Sequence, residues 1–586
     1  MKDDFIPKKV LIAGAGPAGL VALKEMLAAG HDALIVEKSP SFGGVFQRGN
    51  KKVYENLYLT TSNMHMSFSD FPPLEPTIKY SSKKEYCEYL EAYVNNFDLE
   101  PHIAYNSEVR NAKMGDDDKW MVTVAHSDKG EVTYQAENLI VATGSYQIPN
   151  MLPFPGFAGK KMHSSEYTNN EEFKDKKVLV VGIGESASDI AAEVCEVAAS
   201  TTVWSRRPFL IAPRFPLVTM NNDNYDEHKM LTDEPEKYQW VSDFLEFGTI
   251  SRLANSMSMA CYAALRILLF NIWNTGFVGS LPRRLSFWVS EVTKRNNYWQ
   301  QDQTMVATKN SRLATMSDKG NLDIIVSKSM QSDGHTVTFP ETVMYKGSAM
   351  EETSKSFEFD AIISCSGYQT RFDWLEADID FNPRTWFKHC FAPGYGQKLM
   401  FLGWARPHQG GIPACAEMLS RYGALLISGD RQLPADYEHR ALKEGRIERA
   451  FYSATPDLNT LVDYPAFMES VAKLTGCKPK APSIFNVPMF FKYWVYPNWS
   501  FWYRKNGPHA NPQALKTALD KVPMSKSFKF GDGLGYAIAQ FLLILISLPV
   551  YLISWVVRLF TGSNPEKLRF GWISSKPKVK ILHGNG

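Results

Sequence analysis

Four short apolar runs, each meeting a glycine turn, dominate the hydrophobic pattern of this chain: Val10-Leu-Ile-Ala13, Leu139-Ile-Val-Ala142, Val178-Leu-Val-Val181 and Ala361-Ile-Ile-Ser364. Runs of this length and branching, bounded by glycine, predict strands buried in a parallel sheet. Two of them lead into helical patterns, over 20–29 and 188–197, and each helix leads to a further apolar run, Ala33-Leu-Ile-Val36 and Thr201-Thr-Val-Trp204. A strand, tight turn, helix and strand therefore occur twice. The pattern changes near the end, where residues 534–557 form 24 positions without a formal charge. That length suffices to cross a bilayer.

The turns carry the candidate chemistry. The first reads Gly14-Ala-Gly16-Pro17-Ala18-Gly19, a spacing that lets backbone approach a pyrophosphate at a helix N-terminus. Glu37 ends the following strand, where a carboxylate can accept from ribose hydroxyls, so this unit suits FAD. In the second, Gly182-Ile-Gly184-Glu-Ser186-Ala187-Ser188-Asp189, the next strand ends in Ser205-Arg206-Arg207. Guanidinium groups clamp a 2′-phosphate that a carboxylate would repel, so this unit suits NADPH. Gly144 and Gly367 close the other two runs, and the order of the four predicts an FAD domain interrupted by an NADPH domain and then resumed.

Between the loops lies Phe157-x-Gly159-x3-His163-x3-Tyr167, and with the paired loops it resembles the flavin-containing monooxygenases. Tyr167 resembles the heteroatom-oxidising branch, where typical Baeyer–Villiger enzymes have Trp. Further likenesses are Gly43-Gly44-Val45-Phe46, which resembles a flavin-contacting stretch, Ser69-Asp70-Phe71-Pro72, and Gly410-Gly-Ile-Pro413, which resembles the element closing over the flavin. The resemblance implies NADPH reduction of FAD, formation of a C4a-hydroperoxyflavin with dioxygen, and oxygen transfer to soft nitrogen or sulfur of a lipophilic molecule. Baeyer–Villiger oxidation, uncoupled peroxide release and a non-enzymatic redox sensor are the alternatives. The family's Asn ten residues before the Asp is Thr60 here. Either Thr60 or Asn63 supplies that hydrogen bond, and the adjoining Thr61 is assigned to the flavin. Glu185 likewise stands where Asn is common. His163 is expected to be structural.

The expected fold class is therefore α/β with two Rossmann-like dinucleotide-binding domains and a C-terminal hydrophobic membrane segment. Boundaries are expected at 1–160, 161–345 and 346–440, followed by an aromatic-rich region at 441–530 and a membrane-attachment segment and tail at 531–586. A net charge of +2 gives no electrostatic case for nucleic acid. Seven cysteines without a C-x-x-C pair argue against a flavin disulfide reductase and fit a reducing compartment. No metal site is expected, and a homo-oligomer is left open. A basic tail follows 534–557, so the positive-inside rule disfavours a single span from a cytoplasmic body. Pro549 can break the segment, which favours monotopic attachment with the tail on the body's side. Residues 257–280 and the run 485–503, with ten aromatics in 19 residues, are divided between packing and membrane or tunnel roles. The expected location is a membrane with the catalytic body facing the cytoplasm, that of the endoplasmic reticulum in a eukaryote.

Overall fold

The computed structural model describes residues 5–50, 53–75, 78–206, 214, 231, 308–310, 312–318, 320–346, 349–407, 410–452, 458–495 and 497–521. The chain starts a first sheet with β1 (Phe5–Ala13), β2 (Ala33–Val36), β3 (Ile103–Ala104), β4 (Ser107–Met114), β5 (Trp120–His126) and β6 (Gly130–Val141). Strands β6, β1, β2 and β3 run parallel, and β4 to β6 form an antiparallel meander. Val10, Leu11 and Ile12 are wholly buried because helices cover one face and the meander the other. That double burial explains their uninterrupted apolar run.

After β7 (Ile148–Pro149) the chain enters a second sheet: β8 (Lys160–His163), β9 (Lys177–Val181), β10 (Ser200–Ser205), β11 (Leu322–Val326), β12 (Gln331–Asp333), β13 (Thr336–Lys346), β14 (Ala349–Glu358) and β15 (Ala361–Ser364). Here β8, β15, β9, β10 and β11 are parallel neighbours. It returns through β16 (Tyr368–Gln369) to β17 (Leu375–Glu376) and β18 (Leu399–Phe401), which join the first sheet beside β4 and β6. The second unit is thus inserted in the first, and the two crossings, β7 and β16, pair antiparallel. The expected change at 345/346 is corrected by this pairing: the second sheet continues through β14 and β15, because β15 lies between β9 and β8 in its parallel ladder.

Five helices position the sites. α1 (Pro17–Ala28) follows β1, with Pro17 at its first position, where the missing N–H costs nothing. α2 (Asn63–Met66) is one buried turn. α3 (Lys83–Asn96) opens on a capping box between Ser82 and Glu85. α4 (Glu185–Val194) follows β9, and α5 (Arg312–Asp318) lies against it. Beyond β18, α6 (Ile412–Ile427) packs beside α1, and Gly423 leaves room for the Met400 side chain of β18: a Cβ there would meet Met400 Sδ at 2.7 Å. α7 (Tyr437–Phe451), α8 (Tyr464–Thr475), α9 (Val487–Val495) and α10 (Pro512–Lys521) follow.

The aromatic run divides. Trp499, Phe501, Trp502 and Tyr503 are buried in the core that contains α1 and α6, so they pack. Ile484, Phe485 and Val487 are exposed. Among the described residues no helix is long and apolar enough to cross a membrane. Residues 257–280, 534–557 and Arg207 lie outside the described residues.

Candidate functional site

The first cradle is set by what no side chain can enter. Gly14 has φ +104°, and a Cβ on it would meet the Ala142 carbonyl oxygen at 2.7 Å. On Gly19 a Cβ would lie 1.9 Å from the Gly14 oxygen. Gly16 caps α1, so the loop presents backbone N–H groups and the positive helix end. Gly43 N–H donates to the Ala15 carbonyl at 2.8 Å, which lays Gly44, Val45 and Phe46 beside that loop. Glu37 accepts from Ala15 N–H at 2.6 Å and from Ser39 N–H at 2.8 Å. Each of its oxygens keeps a second lone pair for ribose hydroxyls. Gly144, at φ +75°, lies just beyond the C-terminal end of β6 at the same sheet edge, with Pro17 and Ala18 opening α1.

Thr60, Thr61 and Asn63 separate here. Asn63 Oδ1 accepts from Lys79 N–H at 3.1 Å, and Asn63 N–H donates to the Lys79 carbonyl at 2.8 Å. Its side chain therefore pins the start of α2. Thr60 is half-buried. Thr61 Oγ1 is buried without a hydrogen-bond partner among the described residues. A buried hydroxyl of this kind fits a polar edge of a ligand, since leaving it unmet costs free energy. These groups fit FAD. Thr61→Val is expected to weaken flavin binding about fivefold, on the order of 1 kcal/mol, with an unchanged melting curve of the apoprotein. Reconstitution titrated by flavin fluorescence measures this, and equal affinity would assign the hydroxyl elsewhere.

The second cradle repeats the design. Gly182 has φ +116°, and a Cβ would meet the Cys365 oxygen at 2.7 Å; Gly184 caps α4 with open space around it. Ser186 is exposed, while Ala187 and Ser188 are buried in or beside the second core. Asp189 faces side chains: Tyr54 Oη donates to it at 2.7 Å, and Asn310 Nδ2 donates to its other oxygen. Arg206 is exposed directly after β10. Sequence reasoning missed the segment 308–310. Thr308 Oγ1 donates to the Ile183 carbonyl at 2.6 Å, and Lys309 N–H donates to Glu185 Oε1 at 2.7 Å. That second contact holds the Glu185 carboxylate with a backbone donor. No local motif marks 308–310, because its partners lie more than a hundred residues away.

His163 joins the two crossings. Ser165 N–H donates to its Nδ1 at 3.1 Å, so Nε2 carries the proton and donates to the Gly367 carbonyl at 2.9 Å. Burial holds its pKa below the ordinary value, favouring the neutral ring. Tyr167 is buried, stacked on Phe173 at 5.9 Å between ring centres and edge-on to Tyr54. Both signature residues build the junction. A folded pKa below the unfolded value means that His163's contribution is complete above the unfolded pKa and is lost as pH falls from there through the depressed folded value. Melting temperature should thus fall as pH drops below about 6.5, and His163→Gln should flatten that fall. An identical pH slope in the variant would count against this assignment.

A buried ionic network ties the first cradle to the C-terminal third. Arg504 pairs with Glu25 on α1, with Asp70 at 3.2 Å and with Glu417 on α6 at 2.9 Å, and Lys24 pairs with Asp70. Glu417 also accepts from Ser69 N–H at 2.8 Å. The three carboxylates lie close enough to gather a cation, and the guanidinium and ammonium groups occupy that role. Near them α6 begins against α2: a Cβ on Gly411 would meet the His65 carbonyl oxygen at 2.2 Å. Gly410-Gly411 thus seats this helix directly on the turn carrying Asn63.

Known proteins resemble this chain along most of its length. The family described as flavin-binding monooxygenase-like matches residues 254–559, and that described as pyridine nucleotide-disulphide oxidoreductase matches residues 11–227. The 4-hydroxybenzoate brominase (decarboxylating) of Marinomonas mediterranea is 33% identical over 522 residues, 88% of this chain and 93% of that protein. Flavin-containing monooxygenase 5 of Rattus norvegicus is 26% identical over 535 residues, 87% and 91% of the two chains. The structure of OTEMO in complex with FAD and NADP superposes with a TM-score of 0.54 at 17% identity, covering 80% of this chain and 98% of that one. That likeness concerns the fold.

Proposed function

This chain belongs to the flavin-binding monooxygenase-like family, and we propose that it transfers one oxygen atom of dioxygen to a soft nitrogen or sulfur of a lipophilic small molecule. It is an FAD-containing, NADPH-dependent oxidoreductase. Bound FAD supplies the dioxygen activation that no protein side chain provides. What carries the reading is the pair of glycine cradles on separate sheets, each closed to any Cβ at its first glycine and each opening a helix.

The chain's own residues bind, orient and exclude water. Gly14 to Gly19 and Glu37 hold the flavin dinucleotide, while Gly182, Gly184 and Arg206 hold the nicotinamide one. Thr61 would hydrogen-bond the flavin, and Thr60 would take the place of the family's asparagine, since the Asn63 carbonyl is committed to Lys79. The α2–α6 contact at Gly411, too close for any side chain, would help to exclude water from the site. His163 keeps its proton on Nε2 and fixes the junction. Residues 534–557 attach the chain to one leaflet, with the catalytic body on the cytoplasmic side.

A second reading has bromide as the oxygen acceptor, because the brominase relatives are 33% identical and flavin-containing monooxygenase 5 is 26%. Bromide is also a soft nucleophile, and one NADPH, two protons, dioxygen and bromide balance to hypobromous acid, water and NADP⁺. Turnover with NADPH would be followed beside a thioether, a tertiary amine, or bromide with 4-hydroxybenzoate. Sulfoxide or N-oxide matching NADPH use supports the first reading, and a brominated phenol the second. Stoichiometric peroxide with all three would overturn both.

A further inference from the structure

We propose that the turn at residues 480–488 is a lipid-docking tip, on which Ile484, Phe485 and Val487 enter the headgroup region of an anionic bilayer. Phe485 is 90% exposed, and Ile484 and Val487 are each 65% exposed. Three adjacent apolar side chains at this exposure form a patch that water solvates poorly and a membrane interface accepts.

Their base is rigid. Phe490 N–H donates to the Asn486 carbonyl at 2.8 Å, which starts α9, and Asn486 N–H donates to the Ser483 carbonyl at 3.0 Å. Tyr493 Oη donates to the Pro479 carbonyl at 3.0 Å, and its ring lies edge-on to Trp502 in the core. Packing thus fixes the stem while the tip points outward. Ordering entropy is already spent before any surface is met.

Charge indicates the occupant. From residue 470 to 519 the chain has no Asp or Glu but carries Lys473, Lys478, Lys480, Lys492, Arg504, Lys505 and Lys516. Arg504 is consumed inside the buried network and Lys478 pairs with Glu469 at 3.2 Å, so Lys480 and Lys492 flank the tip. Apolar side chains beside lysines and without acids match a bilayer rich in phosphatidylserine, where the stems stay in the interface and the ammonium groups reach phosphate. Residues 534–557 follow shortly after α10, and this inference rests on the membrane reading above only in placing the bilayer on the same side.

The test uses the full-length chain with Phe485→Cys carrying an environment-sensitive fluorophore, the labelled unsubstituted chain serving as background. Vesicles of phosphatidylcholine, with and without phosphatidylserine, supply the surface, and flotation reports binding separately from probe environment. Expected are a blue shift and protection from aqueous quencher on anionic vesicles. The chain with Ile484→Asp, Phe485→Asp and Val487→Asp should float about tenfold less, with unchanged flavin content. A chain that floats with its probe still in water would overturn the tip and leave the C-terminal attachment standing. Shielding without vesicles would assign the tip to another segment of this chain, and shielding that grows with protein concentration to a second copy; either overturns the proposal. A chain that never floats would overturn both membrane readings.

Discussion

Gly19→Ala is expected to yield protein that purifies without flavin and oxidises no NADPH. The added Cβ would lie 1.9 Å from the Gly14 carbonyl oxygen, and neither atom belongs to a side chain that can rotate away. Gly14 cannot retreat, being held at φ +104° beneath the Ala142 carbonyl. Relief must come from the loop or α1 moving, at a cost of about 1–3 kcal/mol or more, and the moved atoms are those proposed to meet the pyrophosphate. The matched variant is Gly182→Ala, where a left-handed φ of +116° and a Cys365 oxygen at 2.7 Å oppose the methyl group. It should retain yellow, flavin-loaded protein while flavin reduction by NADPH needs roughly a hundredfold more nucleotide, about 3 kcal/mol. Visible absorbance of the purified proteins and anaerobic reduction titrations measure both. Full flavin occupancy in the Gly19 variant would mean that this loop does not cradle FAD in this geometry.

Arg504→Met should destabilise the protein by about 3–5 kcal/mol near neutral pH, because it strands buried carboxylates. Burial opposes ionisation of Glu25, yet Arg504 and Lys24 hold its pKa well below the ordinary carboxylate range. Glu417 is the opposite case: burial raises its pKa and Arg504 offsets only part of that. In the native protein, Glu25's contribution is present above its unfolded pKa and is lost as pH falls through the depressed folded value. Without Arg504, burial prevails and folded carboxylate pKa values rise above unfolded ones. Stability then falls as pH rises from about 4.5, reversing the native dependence. Denaturant unfolding should therefore show the variant weakest near about pH 8 and partly rescued near pH 5, with Arg504→Lys intermediate. Equal losses at both pH values would point to packing alone.

Such a network has no trace in the local sequence. Asp70 is part of a recognisable motif, but Glu25 reads as an ordinary helix residue and Arg504 lies in an aromatic run. The two cradles are different. Gly14, Gly19 and Gly182 are required by contacts within their own turn or with the adjacent strand, so spacing reveals them. Glu37 is found by the same logic, because the strand length fixes where its side chain emerges. For Asp189 and Asn63 the sequence located the residue and missed its partners. Tyr54 and Asn310 claim the first, and the Lys79 backbone claims the second.

The sequence by itself determined the α/β class, two glycine turns that each open a helix, the insertion of one unit in the other, and the family. The Gly19–Gly14 contact, the left-handed φ of Gly14 and Gly182, and burial along a strand act within a few residues, and leave a pattern there. Only the tertiary structure decided that β15 completes the second sheet, that Thr308 and Lys309 cross the second loop, and that Arg504 clamps α1, Asp70 and α6 together. Those outcomes depend on which polar groups meet when distant segments pack. A buried charge or hydrogen-bond donor takes whatever partner the packing brings to it, and that choice is written in no stretch of chain short enough to read.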